Sequence, residues 1–368
     1  MRGESNRQET MLSLWTPEQR VPQDHPLRKI KVLADRELKR LSTVFDEMYS
    51  TTGRPSVPPE RVLKGQLLMA LYSIRSERQL CEQLDYNLLY RWFLDMNQIE
   101  ETFDATVFSK NRERLLAHEV GTLFFDSVVK TAQRGGLIST DHFTVDSTLI
   151  EAWASLKSFR RKESEPHHDD DDPGNATVNF HGEKRSNETH QSTTDPESRL
   201  YRKGSGKEAK LCYGAHALME NRHGLLVDIS VTPADTSSQW TAAEQMLKRQ
   251  AQKRRRPQTL GGDKGYDHRG FVGMLKKRGI AAHIAANERR PGGSAIDRRL
   301  IRQKRYVVSQ KVRKRIEEIF GWMKTIGGLR KTRYKGRDRT QLAAQIVGAA
   351  YNLLRIAKLQ PDLGPVHL

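Results

Sequence analysis

Asp263 and Glu317 are carboxylates set in a stretch that attracts phosphate. Residues 241 to 340 contain 29 Lys and Arg against 8 Asp and Glu, a surplus that exceeds the +18 of the whole chain. Lys and Arg neutralise phosphates and release counterions, whereas Asp and Glu repel phosphate unless they hold a divalent cation facing it. Selected acids on a basic surface therefore point to metal-assisted chemistry on nucleic acid. A solvated face or non-specific adhesion also accounts for a charge surplus taken alone. Against that reading the field is local: residues 1 to 118 carry 18 basic and 17 acidic side chains.

Strands must bring such acids together. HFTVDSTLIEA alternates, with Phe143 and Val145 on one face and Thr144 and Asp146 on the other, and LCYGAHALME followed by GLLVDISVTP reads as a hairpin turning at ENRHG. Next come a helix (SSQWTAAEQMLKRQAQK), a short strand (PQTLGGD), a helix (HRGFVGMLKKRG), a strand (IAAHIAA) and a long helix from about 308 to 324. The order β-β-β-α-β-α-β-α is the ribonuclease H topology, a mixed five-stranded sheet in which the first and fourth strands lie side by side. Asp146 and Asp263 then become neighbours, with the last long helix packed across them. Gly261 and Gly262 let the chain leave the strand sharply, and Gly265 keeps the following loop small.

The third acid is chosen by helical phase. At about 100° per residue Glu317 falls about 40° from Arg313, bordering the face of Ile316, Ile319 and Met323, and Glu318 at about 140° points to solvent and to Lys314 or Lys311. A salt bridge from Glu317 to Arg313 is the competing role. Asp141, Glu151, Asp235 and Asp267 are rival acids. Asp141 precedes its strand, Glu151 has the opposite parity to Asp146, Asp235 lies in a turn after a Pro, and Asp267 lies beyond its strand.

The first third reads as short helices. PERVLKGQLLMALYSIRS puts Val62, Leu67, Leu68, Leu71 and Tyr72 near one face, Ser76 opens SERQLCEQL, and Asp104 caps ATVFSKNRERLL. Residues 1 to 118 are expected to form a helical domain, which either binds DNA directly, as a helix-turn-helix would, or serves as a dimerisation scaffold. Residues 119 to 358 form the catalytic domain, interrupted at 160 to 208 by a polar insertion with five apolar residues in 49, expected to be disordered. No run approaches 18 apolar residues, and MRGESNRQETMLSLW has no apolar core of signal-peptide type. Cys81 and Cys212 lack partners at metal spacing. A cytoplasmic, nucleoid-associated protein is expected.

TVDSTLIEAWAS, LGGDKGYD and the R-x3-E-x6-K pattern of Arg313, Glu317 and Lys324 together resemble the DDE transposases of bacterial insertion sequences, specifically the insertion sequence 5 family. The helical text from Pro55 to Phe93, STTDPESRLYRKG and GAHALMENRHG extend the likeness over roughly residues 10 to 357. Gln310 stands where the family's extended signature has Tyr, which bears on a DNA contact more than on catalysis.

The resemblance implies Asp146, Asp263 and Glu317 as catalytic residues and as ligands of Mg²⁺, with Mn²⁺ as substitute. It implies Arg313, Lys324, Lys264, His268, Arg330, Lys331 and Arg333 as DNA contacts. The partners would be double-stranded DNA, as terminal inverted repeats and target, and further copies of the chain in a homodimer or larger assembly. The reaction would be nicking at element ends and attack of the freed 3′-hydroxyl on target DNA. A structure-dependent nuclease or resolvase and a repressor derived from a transposase are the other readings. Trp153 and Trp322 are candidates for base stacking or for plain packing.

Overall fold

The computed structural model describes residues 16–162 and 185–360, apart from 51, 54, 55, 203, 205–207, 236 and 290. Its strands are β1 (His142–Glu151), β2 (Phe159–Arg161), β3 (His190–Ser192), β4 (Arg199–Tyr201), β5 (Lys210–Glu220), β6 (Leu225–Pro233), β7 (Thr259–Gly262) and β8 (Ala281–Ile284). The sheet runs β6-β5-β1-β7-β8, with β5 antiparallel to both β1 and β6, and with β7 and β8 parallel to β1. That is the ribonuclease H-like order expected from the hydrophobic pattern. β4 joins β5 beyond the end of β6, pairing Tyr201 with Lys210, and makes the sheet six-stranded rather than five-stranded.

That sixth strand corrects the reading of residues 160 to 208. β2 and β3 form a ribbon, and His190, Ser192, Asp195 and Ser198 are buried. Asp195 accepts hydrogen bonds from the Tyr213 hydroxyl (2.6 Å) and the Gly336 amide (3.2 Å), so a polar network orders residues 185–202 where apolar burial is scarce. The rest of the expected disordered insertion, residues 163–184, lies outside the described residues.

Among the described residues eight helices precede the sheet: α1 (Pro17–Arg20), α2 (Pro26–Lys39), α3 (Ser42–Met48), α4 (Pro59–Leu71), α5 (Glu77–Tyr86), α6 (Leu88–Phe93), α7 (Thr106–Ala117) and α8 (Val120–Arg134). Their starts follow the sequence signals. The Ser76 hydroxyl accepts from Gln79 N (3.1 Å) and Asp104 accepts from Thr106 N (2.7 Å). Val62, Leu67 and Leu68 of α4 are fully buried, but Tyr72 falls past the helix end and is 39% exposed.

After β6 come α9 (Ser238–Gln252), α10 (Arg269–Lys277), α11 (Arg298–Ile301), α12 (Lys304–Val312), α13 (Ile316–Thr325) and α14 (Arg337–Leu359). The helix expected from about 308 to 324 is therefore broken, with a 3₁₀ turn at Arg313–Arg315 between α12 and α13. Arg315 explains the break: its guanidinium donates to the carbonyls of Asn221 (2.8 Å) and Arg222 (3.1 Å), drawing the turn onto the β5–β6 hairpin.

The helix that crosses the molecule is α14, which packs on α8, β6, α4, α2 and α7. Gly348 permits this, because a Cβ there would meet Leu226 at 2.8 Å and Phe125 at 3.1 Å. One hydrophobic core consequently runs through both halves of the chain. Residues 1–118 and 119–358 share α14 as common packing.

Both sheet edges are closed by side chains. On β6, Asn352 accepts from Leu226 N (2.9 Å) and donates to Leu226 O (2.7 Å), and Gln341 does the same for Val231 N (2.6 Å) and Ile229 O (3.1 Å). On β8, Gln310 donates to His283 O (2.7 Å) and the Tyr306 hydroxyl to Ile284 O (2.8 Å). Edge groups used this way cannot recruit another strand. No helix among the described residues is long and apolar enough to cross a membrane.

Candidate active site

Asp146 lies mid-way along β1, opposite Ala217 of β5. On the other side Thr144 is level with Gly261 of β7, so two residues further along each parallel strand Asp146 and Asp263 come abreast. Gly261 allows the close pairing: a Cβ there would stand 3.1 Å from Thr144 Oγ1 and 3.2 Å from the His142 ring. β7 ends at Gly262. Asp263 then caps the turn that follows, Lys264–Tyr266, by accepting from Gly265 N (2.8 Å). Trp240 of α9 braces the turn, donating from Nε1 to Gly265 O (2.8 Å) and stacking on His268 with ring centroids 4.2 Å apart.

Burial pushes the Asp146 carboxyl up to about 6. The Ser147 amide, 2.7 Å away, opposes that shift, Asp263 and Glu317 add to it, and Arg313 counters it. Glu317 thus presents its charge to Asp146. Glu318 instead adds to the upward push that burial gives the Tyr351 phenol, and no ion pair to Lys311 or Lys314 occurs among the described residues. The competing Glu317–Arg313 salt bridge is not among the ion pairs of the described residues; Arg313 Nε donates to Gln310 Oε1 (3.1 Å), which ties it to β8. Lys324 Nζ donates to Thr148 Oγ1 (2.6 Å), two residues along β1 from Asp146. Among the described residues no three or more His, Cys, Asp or Glu side chains stand close enough to hold a metal ion. The expected triad shares one electrostatic field without being drawn to coordination spacing.

Basic groups ring this end of the sheet. Lys264 is exposed beside Asp263, and His268 is half-buried against Trp240. The chain at 330–332 is stitched to the end of β1 by Glu151 N to Arg330 O (3.0 Å) and Thr332 N to Glu151 O (2.8 Å), leaving Arg330 and Lys331 exposed there. Lys331 Nζ stands 5.6 Å from the Trp153 ring, itself 52% exposed. Arg333 is half-buried with its guanidinium beside Gly328, and burial lowers its pKa. Trp322 packs edge-on against Tyr351, which is a packing role.

The rival acids have structural partners. Asp141 pairs with Arg222 (2.5 Å), Glu151 with Lys210 (2.9 Å), and Asp235 accepts from the Ser237 hydroxyl (2.6 Å). Buried Asp267 accepts from Asn287 N, Ser294 Oγ and Ala295 N and orders that loop. Sequence reasoning passed over Trp240 and Tyr266. An aromatic residue inside the glycine-rich GGDKGYD was the signal for the second, whereas nothing local marks Trp240.

Residues 140–353, more than half of the chain, match the family described as Transposase DDE domain, and residues 15–114 match the one described as Transposase domain (DUF772). No curated protein matches. Solved structures with partial likeness include the piggyBac transposase synaptic complex with hairpin DNA, at 9% identity over 94% of this chain and 78% of that one, TM-score 0.42. Another is the Mos1 strand transfer complex, at 12% identity over 64% of this chain and 60% of that one, TM-score 0.20. By the extent of the first match, the chain belongs to the DDE transposase family, enzymes that cut and join DNA with divalent metal ions.

Proposed function

We propose that this transposase cuts DNA at the terminal inverted repeats of its own element and joins the freed ends to target DNA, with Asp146, Asp263 and Glu317 as ligands of Mg²⁺, for which Mn²⁺ substitutes. The observation that carries this reading is that two further acids, Asp263 and Glu317, bear on half-buried Asp146, whose carboxyl is raised to about 6. Such a cluster is unfavourable unless a cation shares it, and hard carboxylate oxygens suit Mg²⁺. When bound, the divalent ions supply an activated water or 3′-hydroxyl and charge for the leaving oxygen of an in-line displacement.

The chain's own groups position the DNA. Lys324, tied to Thr148, and Arg313, tied to Gln310, flank Glu317 and would hold phosphates of the element end. Lys264, His268, Arg330 and Lys331 extend the same basic rim, with Arg333 left to packing. The working unit would be a dimer or larger on DNA, one copy for each end, in the cytoplasm at the nucleoid.

A duplex carrying the inverted repeats tests the proposal. It should be nicked at the element boundary with Mg²⁺ or Mn²⁺ and not in chelator. Cutting of branched junctions with no preference for the ends would instead identify a resolvase.

A further inference from the structure

Tyr266 is fully buried, and its hydroxyl is one of the few buried polar atoms among the described residues without a hydrogen-bond partner. An unmet buried hydroxyl is destabilising. The ring does not need the oxygen in order to pack. It lies against Phe271 at 5.7 Å between centroids and under Gly262, where a Cβ would sit 3.4 Å from it. Phe would fill the same space.

The surroundings of the hydroxyl give the oxygen a purpose. Burial first, then the charges of Asp146 and Asp263, hold the phenol pKa well above its ordinary value, so it is a neutral donor at any working pH. The Ser147 side chain partly opposes that rise. Asp146 has its Oδ1 engaged by the Ser147 amide. Tyr266 follows Asp263 by three residues, on the turn that Trp240 braces.

We propose that the Tyr266 hydroxyl is a positioning donor, giving its hydrogen bond to Asp146 when a divalent cation draws Asp146 and Asp263 together. The bond would tie the turn after β7 to β1 and orient Asp146 toward the ion. It rests on the assignment of these two acids as cation ligands. Partners of metal ligands typically contribute 10- to 100-fold in metal affinity.

Y266F and D263N in the full chain test it, by calorimetric titration with Mn²⁺ and by thermal unfolding with and without Mn²⁺. Metal-free Y266F should unfold no lower than the parent protein, bind Mn²⁺ roughly tenfold more weakly, and show a smaller Mn²⁺-induced rise in Tm. D263N should lose Mn²⁺ binding outright. Parental Mn²⁺ affinity in Y266F, with binding lost in D263N, overturns the role of Tyr266. Unchanged binding in D263N overturns the ligand assignment beneath it. If metal-free Y266F is destabilised or fails to fold, the oxygen is holding the fold and the proposal also falls.

Discussion

Replacing Asp146 with Asn should make the metal-free protein more stable while abolishing DNA cutting. An unfolded Asp titrates near 3.8, and Asp146 in the fold near 6. Each unit of difference is worth about 1.36 kcal/mol, so the ionised carboxylate costs the native state about 3 kcal/mol at pH 8. Below the unfolded value both states are protonated and the cost vanishes. Between the two values the unfolded chain has released a proton that the folded one still holds, so stability falls as pH rises, and above about 6 the full cost is present. Asn keeps the oxygen that accepts from Ser147 N and carries no charge. Urea unfolding in chelator should therefore show the Asn variant ahead by about 3 kcal/mol at pH 8 and by about half that at pH 5. Excess Mn²⁺ should close that gap, adding about 2.7 kcal/mol to the parent protein at a hundred times Kd and little to the variant, and should reverse the order at a thousand times Kd, where the gain is about 4.1 kcal/mol. No advantage at pH 8, or the same advantage at both pH values, would refute the electrostatic account of the site.

E317Q should reduce nicking roughly a thousandfold, about 4 kcal/mol of barrier, with DNA binding retained, and E318Q should change it little; equal losses would show that the helix does not separate the two glutamates. D195A should destabilise the fold by about 2–4 kcal/mol in chemical denaturation, because Tyr213 and Gly336 lose their shared acceptor; a neutral result would return residues 185–202 to the status of an appendage. R313A and K324A should each flatten the salt dependence of DNA binding by about one unit of slope, for specific and random duplexes alike. Deleting residues 1–118 should give an aggregating protein on size exclusion, since it strips α2, α4 and α7 from α14; a monodisperse fragment would show that the shared core is expendable.

The sheet was legible because its signals are local. Alternation in HFTVDSTLIEA, the turn at ENRHG and the glycines before Asp263 each sit within a few residues of what they determine, and chain order then placed Asp146 beside Asp263. α14 escaped notice for the opposite reason. Leu342, Ala344, Ile346, Val347, Ala349 and Ala350 are buried around much of its circumference, so no single apolar face announces it. The break at Arg313–Arg315 arises from Arg315 reaching carbonyls more than ninety residues away, which composition cannot show. Residues 185–202 misled because polar content was equated with disorder, while their order comes from hydrogen bonds such as Ser158 to Ser192 (2.7 Å) and Tyr213 to Asp195. Glu317 was chosen over Glu318 by phase, although the phase was counted through a turn that is not α-helical.

The shared helix also sets a timetable. α2, α4 and α7 pack in part on residues 337–359, and these are translated after the entire sheet. At about 5–20 residues per second, the wait between completing α7 and beginning α14 is on the order of ten to forty seconds. Throughout that interval the emerging helical segment is an unfinished surface that chaperones and proteases can engage. Chains released early would be cleared or would aggregate, and would not persist as stable fragments able to occupy element ends against the complete enzyme. Completion of the helical half is thereby reserved for chains translated through α14.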